Sequence, residues 1–345
     1  MIFPTTTAFP LNWENGMKLS ADDFQHLEDS IEGAVRDSRA LGLTANLGFG
    51  LLPNSPLILQ NTQGSSPQSV RVVLNACRAV LPGGHRVEIL PDNVQRLQVP
   101  AKLPAVEFVP AAGIRYHLFL SVDEHKRIPA GIPQVKPIRH PYLVYDYQLE
   151  CLPHEKLPAT QQLASNRMKI GEWQDGKIIN AYIPAALSIN GFPILEKWHQ
   201  FLQNQLENIA RLCVQVVHRY RAKDAARAAF ALSIAQHIRS TQSYFKWVLP
   251  LQSPIFLAGY YGDLAGLIEG LIEMSDRDFV RNQLKEGQAN GLRKSIHRLM
   301  KTQAIPLENI ALVLTLIQKF SDALKLTIDQ LAASQAPGFS QGDHR

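Results

Sequence analysis

The sequence predicts an α+β multidomain protein in which a strand-rich N-terminal half, built as a β-sandwich, precedes an α-helical bundle. Eighteen of the 22 prolines lie at or before Pro193, and only Pro250, Pro254, Pro306 and Pro337 follow. Because proline breaks helices from within, long helices are confined to the second half. Near Gly191 the spacing of apolar residues also changes, from alternation to steps of three and four. A chain of 345 residues that is 46% hydrophobic has the length for two ordinary domains, each with its own core. The expected divisions are 1–190, 191–333 and a polar tail at 334–345.

The first element is a helix. Ser20 and Asp23 can cap its start, and Phe24, Leu27, Ile31 and Val35 then form an apolar stripe spaced 3, 4 and 4. Strands follow. Val70, Val72, Leu74 and Ala76 alternate with other residues. So do Leu143, Tyr145, Tyr147 and Leu149, and Ile114, Tyr116, Leu118, Leu120 and Val122 alternate with Arg115, His117, Phe119 and Ser121. A period of two is the mark of a half-buried strand. Pro82-Gly83-Gly84 and Asp175-Gly176 supply turn chemistry for two hairpins. The connections are too short for helical crossovers, which favours a sandwich over a doubly wound sheet.

Beyond Gly191, the residues Leu195, Trp198, Leu202, Leu206, Ile209, Cys213, Val216 and Tyr220 give one long helix a continuous apolar face. Comparable patterns cover about 225–249, 264–274, 278–300 and 307–333, and together they predict an antiparallel bundle.

Composition narrows the function classes. The opening MIFPTTTAFPLNW has no basic stretch leading into an apolar run, and the longest apolar runs fall short of the roughly 20 residues that cross a bilayer. Cys77, Cys151 and Cys213 are odd in number and far apart, as free buried thiols in a reducing compartment would be. A cytoplasmic protein that spans no membrane is expected. Lys and Arg balance Asp and Glu at 17 each before residue 190, and number 18 against 13 after it, so the +5 excess is C-terminal.

Signatures of catalysis are absent or bare. No phosphate-binding Gly-rich loop, HExxH or CxxC is present. Asp123-Glu124-His125 has metal-ligand chemistry, but a solvated turn after a strand fits it better. Ser243-Tyr244-Phe245-Lys246 matches the Ser-x-x-Lys of some acyl-transfer enzymes without their partner motifs, so its aromatic pair reads as core. Two basic groups, His218, Arg219, Arg221, Lys223 and Arg227, then Arg293, Lys294, His297, Arg298 and Lys301, lack the interleaved aromatics that stack bases. They read as solvated helical faces. No catalytic residue, metal ligand, cofactor, small-molecule substrate or nucleic-acid partner is expected.

The N-terminal run Trp13-Glu14-Asn15-Gly16-Met17-Lys18-Leu19, followed by Phe24-Gln25, resembles the opening Trp-x-Glu-Gly-Met-x-Leu-x-Pro-Gln-His-Phe-Gln of the TssK family, trimeric baseplate subunits of type VI secretion systems. Asn15 and Ala21-Asp22-Asp23 depart from that pattern. Further pieces occur in the family's order. These are Gly48-Phe49 with Leu52, Leu81-Pro82-Gly83-Gly84 leading to Pro91, Tyr182-Ile183-Pro184 with Leu187, and Ser253-Pro254 through Tyr260-Tyr261 and Leu264-Ala265-Gly266-Leu267.

The resemblance implies a β-sandwich shoulder, an α-helical bundle neck, and a C-terminal head that this chain is expected to lack. It implies a homotrimeric, non-enzymatic adaptor that docks baseplate wedge proteins, without direct contact to the membrane complex. Trp13, Gly16, Met17, Leu19, Phe24 and Gln25 are then candidates for partner or subunit contact, and Leu195, Trp198, Leu202, Leu206, Ile209, Val216 and Tyr220 for neck packing. A phage-tail-like receptor-binding or adaptor protein, and a basic helical nucleic-acid binder, are the alternatives.

Overall fold

A computed structural model of the chain describes residues 18–42, 49–53, 56–90, 103–135, 138–140, 142–156, 166–274, 289–301 and 310–333. The chain is mixed helix and sheet, and it divides into two compact units, residues 1–192 and 193–345.

In the first unit, helix α1 (Ala21–Gly42) precedes eleven described strands. One sheet is organised by β3 (Val70–Val80), which pairs antiparallel with β1 (Gly50–Leu51), β2 (Leu57–Gln63), β4 (Arg86–Ile89) and β5 (Ala105–Phe108). Serving four neighbours, β3 buries Val72, Leu74, Ala76, Cys77 and Ala79 completely. The second sheet has the order β11-β10-β6-β9, from Lys177–Ile178, Arg167–Gln174, Tyr116–Ala130 and Tyr142–Pro153. A two-stranded pair, β7 (Gln134–Val135) and β8 (Ile138–Arg139), lies between β6 and β9 in sequence.

Both turn expectations hold. β3 and β4 form a hairpin through Pro82-Gly83-Gly84, and Asp175 (φ 48°) and Gly176 (φ 85°) turn β10 into β11. Phe108 of the first sheet packs edge-on to Trp173 at 5.3 Å and tilted to Tyr116 at 5.0 Å, both in the second sheet. Just before the second unit, Leu187 and Leu51 exchange backbone bonds with their surroundings: Leu187 N donates to Leu51 O at 2.9 Å, and Leu51 N donates to Ala185 O at 2.9 Å. The Tyr182-Ile183-Pro184 stretch thereby closes against β1.

One expectation about β6 fails. Alternation predicts a half-buried strand, yet His117, Phe119 and Ser121 are buried along with Tyr116, Leu118, Leu120 and Val122. Long polar side chains cover the second face. The Arg167 guanidinium stacks 4.0 Å over the Phe119 ring, Ser121 donates to Glu150, and His117 lies against His154 and Glu172. A guanidinium laid on a ring removes that ring from water as effectively as an apolar neighbour would.

The second unit contains α2 (Pro193–Tyr220), α3 (Ala225–Ser240), α4 (Ile255–Met274), α5 (Ala289–Met300) and α6 (Ile310–Ala333). Expected boundaries shift at two places. The helix foreseen over 225–249 ends at Ser240 and gives way to a π turn, Tyr244–Val248, and a 3-10 turn, Leu249–Leu251. At the stop, the Thr241 hydroxyl donates to the His237 carbonyl at 2.8 Å and occupies an acceptor of the last turn. α4 begins at Ile255 rather than near 264, directly after Pro254. Residues 278–288 and 307–309 of the expected helices, and the tail at 334–345, lie outside the described residues.

α4 overturns one premise of the membrane expectation, that no stretch is long and apolar enough to span. Its 20 residues are long and apolar enough to cross a bilayer by length and composition. Here Leu257, Tyr260, Tyr261, Leu264, Ala265, Ile268 and Ile272 are buried within the second unit. Tyr261 donates to the Leu202 carbonyl at 3.5 Å and meets the Phe320 ring at 6.3 Å.

Candidate partner-contact surface

α1 starts as its sequence dictates. Ser20 N and Oγ both donate to Asp23 Oδ2, at 2.8 and 2.7 Å, and Asp23 N donates back to Ser20 Oγ at 3.2 Å. This reciprocal box satisfies the exposed amides of the first turn. The Ser20 hydroxyl, then its amide, hold the Asp23 carboxyl below the usual carboxylate range.

The helix is attached through its polar side. Arg127, on β6, donates through Nη2 to Asp29 Oδ1 at 2.6 Å and Glu32 Oε2 at 2.9 Å, and its Nη1 lies 3.9 Å from Glu28. The same guanidinium sits 5.4 Å from the Tyr145 ring centre on β9. A register shift between Asp123 and Arg127 carries Arg127 to this position.

One and two turns along α1, Arg36 Nη1 meets His85 Nε2 at 3.1 Å beside the β3–β4 turn. There the backbones nearly touch. A Cβ on Gly84 would lie 2.4 Å from the Arg36 carbonyl oxygen, and Gly84 holds a φ of +84°. Only glycine combines that conformation with that approach.

Asp29, Glu32 and Arg36 share one face; at 100° per residue Ile31 falls nearly opposite it, while Phe24 and Val35 lie on its flank, about 60 to 80° from Glu32. Phe24 is 51%, Ile31 56% and Val35 41% exposed. An amphipathic helix ordinarily turns its apolar stripe to the core. α1 departs from that among the described residues: charges hold it down, Leu27 is half-buried, and the other three residues of the stripe stay exposed. Leu19, just before the helix, is 56% exposed. Gln25 donates to Asp29 at 3.2 Å, on the attached side. Trp13, Gly16 and Met17 lie outside the described residues.

The long-helix candidates sit elsewhere. Leu195, Leu202, Leu206, Ile209, Val216 and Tyr220 are all buried, and Trp198 is partly exposed. Contacts within the single chain produce this burial. Trp198 packs edge-on to Phe201, which is 38% exposed.

Sequence reasoning misplaced two groups. Arg227, assigned to a solvated basic face, is fully buried. Its Nε lies 3.3 Å from Asp224, its guanidinium 4.1 Å over Tyr220, and its Nη1 donates to the Leu331 carbonyl. In the Ser-x-x-Lys stretch, Phe245 is core and stacks on His199 at 4.9 Å, but Tyr244 is 38% exposed. The π turn inserts an extra residue per turn and so points Trp247 outward, 67% exposed, with the Lys246 ammonium 4.8 Å from its ring centre. Of the possible metal group, Glu124 and His125 side chains lie outside the description.

The free thiols are confirmed: Cys77, Cys151 and Cys213 are unbridged, and burial pushes each up to about 12. A thiol so raised is a poor nucleophile.

No protein-family model matches the chain, and no curated protein matches it. Solved structures do. A crystal structure of TssK superposes with a TM-score of 0.57 at 16% identity, covering 91% of this chain and 69% of that one. A chain from the type VI secretion baseplate complex gives 0.51 at 13%, covering 90% and 100%.

The chain has a TssK-like fold.

TssK from T6SS EAEC in complex with a nanobody gives 0.51 at 15%, covering 84% of this chain and 96% of that one. Among these neighbours of the TssK-like chain, one belongs to the baseplate complex of a type VI secretion system and another is TssK of such a system. The strand-rich first unit and the helical second unit both fall within the matched length.

Proposed function

We propose that the chain is a structural subunit of a type VI secretion baseplate or a related contractile injection machine, and that the outward apolar face of α1 docks a wedge subunit. In this reading the first unit is a β-sandwich shoulder and the second a bundle neck, three copies associate, and assembly takes place in the cytoplasm. Function is geometric, with no bond made or broken. Fold alone does not assign function, so the reading leans on a site as well. The observation that carries it is the inverted seating of α1: its charged side is held by Arg127 while Phe24, Ile31 and Val35 stay outside.

Burying a side chain of this size contributes about 1.5 to 3 kcal/mol, so two or three together supply a strong anchor. Leu19 and the preceding Trp13, Gly16 and Met17 extend the same contact, and Gln25 orients its base. Phe24→Asp and Ile31→Asp variants test this. Co-purification with the co-expressed wedge proteins should fall at least roughly tenfold while melting stays unchanged, because neither residue is in the core. Undiminished capture by both variants would refute the contact. Light scattering on the purified chain checks the trimer, and a strictly monomeric mass at micromolar concentration speaks against it.

A further inference from the structure

We propose that a cleft between α2 and α3 binds a carboxylate, presented as an acidic side chain of a docked protein. The cleft is open to solvent, has a volume of ≈ 390 Å³ and is lined by Glu207, Asn208, Arg211, Arg239 and Gln242. Two guanidiniums therefore share it. Arg211 Nη2 donates to Asn208 Oδ1 at 2.9 Å, and Arg239 Nη1 donates to Gln242 Oε1 at 3.3 Å. Both acceptors are neutral amides, which position a guanidinium without cancelling its charge.

The sequence offers Arg211 a carboxylate one turn back, at the spacing where helical ion pairs form. That pairing is not made. Glu207 accepts instead from the Gln203 amide at 3.2 Å, and neither arginine forms an ion pair among the described residues. Two fork-shaped cations face one carboxylate, and each retains donors that can grip an oxyanion in two parallel bonds.

The lining selects among oxyanions. None of its lining residues carries an aromatic ring on which a base could stack. Glu207 at the rim repels a dianionic phosphate more than a monoanionic carboxylate. An adjoining void shares Glu207, Arg239 and Gln242 with the cleft, is otherwise lined mostly by apolar side chains such as Leu206, Ile238 and Phe245, and measures only ≈ 10 Å³, about one water molecule. It is too small to take an occupant deeper, so a ligand of the cleft stays shallow. An aspartate or glutamate on a docking surface has that shape.

The test uses the full chain, a capped peptide of alternating Glu and Ser, its Gln/Ser counterpart, and inorganic phosphate as competitor, in dilute buffer. The acidic peptide should bind and the Gln peptide should not. Arg211→Gln or Arg239→Gln should weaken binding roughly tenfold, with Arg239→Lys falling between wild type and Gln, because a point charge replaces a fork. Both arginines are on the surface, so melting checks that the variants fold. Phe24→Asp should bind the peptide as wild type does, which separates this site from the α1 contact. Equal binding of the Gln peptide, undiminished binding in the Arg211→Gln/Arg239→Gln double variant, or phosphate binding more tightly than the peptide would each overturn the proposal.

Discussion

Arg127 reaches Asp29 across 98 residues of sequence and holds it at 2.6 Å. With Glu32 at 2.9 Å on the same nitrogen, this is the principal charged tether of α1 to the β6–β9 hairpin. Arg127→Met should leave the sheets folded and free the helix. The Arg127 side chain is 20% exposed and Asp29 39%, so the loss is discounted for solvent to about 1 kcal/mol. Hydrogen exchange over residues 21–36 reads it: protection should drop there and remain unchanged in β3.

Gly84→Ala should damage the same attachment from the other side. The new methyl meets the Arg36 carbonyl oxygen at 2.4 Å and the φ of +84° is strained for alanine. A cost of about 2 to 3 kcal/mol is expected in denaturant unfolding of the first unit. Gly113→Ala is the control, since its φ of +74° carries the strain but nothing lies within 4 Å. It should cost about 1 kcal/mol. Equal losses for the two would mean that the contact with Arg36 contributes nothing.

Asp224 has two roles in the second unit. Its carboxylate accepts from the Arg227 amide at 3.0 Å as the cap of α3, and lies 3.3 Å from the buried Arg227 guanidinium. A lost cap alone costs about 1 kcal/mol. Asp224→Ala also takes a carboxylate away from a fully buried cation, so about 3 to 5 kcal/mol is expected. Restoring most of that loss by adding Arg227→Met would show that the stranded charge is the cause.

Acid should weaken the first unit through Glu172. Burial alone would raise this carboxyl, but His117 at 3.5 Å and Lys169 at 2.6 Å prevail and hold it at about 2. The folded value is below the unfolded one, so the unfolded chain takes up the proton first. The stabilisation is fully present above about pH 4.5 and is lost as pH falls toward 2. Glu172→Gln should flatten the stability profile in that interval, measured by urea unfolding from pH 5 to 2.

The two-part architecture was legible because its signals are local. Proline content, turn dipeptides and the periods of two and 3.6 need no knowledge of distant neighbours. The Ser20–Asp23 box and the α1 stripe were equally legible, and both hairpin turns fell where their glycines placed them. What α1 does with its stripe was not legible, because the decision rests on Arg127 and Gly84, which belong to other elements. The second face of β6 was misjudged for the same reason: Arg167 covers Phe119 from the neighbouring strand. Arg227 reads as solvent-exposed in any pattern, until Asp224 and Tyr220 surround it. The cleft arginines carried no sequence signal at all, since Glu207 looks like a partner for Arg211 and is not.

The seating of α1 makes its tether and its proposed docking face respond in opposite directions to added electrolyte. Ions screen the Arg127 tether, which is partly exposed, within a few ångströms at molar concentration. Salts excluded from protein surfaces, sulfate above all, strengthen burial of Phe24, Ile31 and Val35 against an apolar partner. Raising sulfate should therefore loosen the helix from its own sheet while tightening it on whatever it docks. Lowering ionic strength should do the reverse, so the buffer chosen for purification decides which of the two attachments survives.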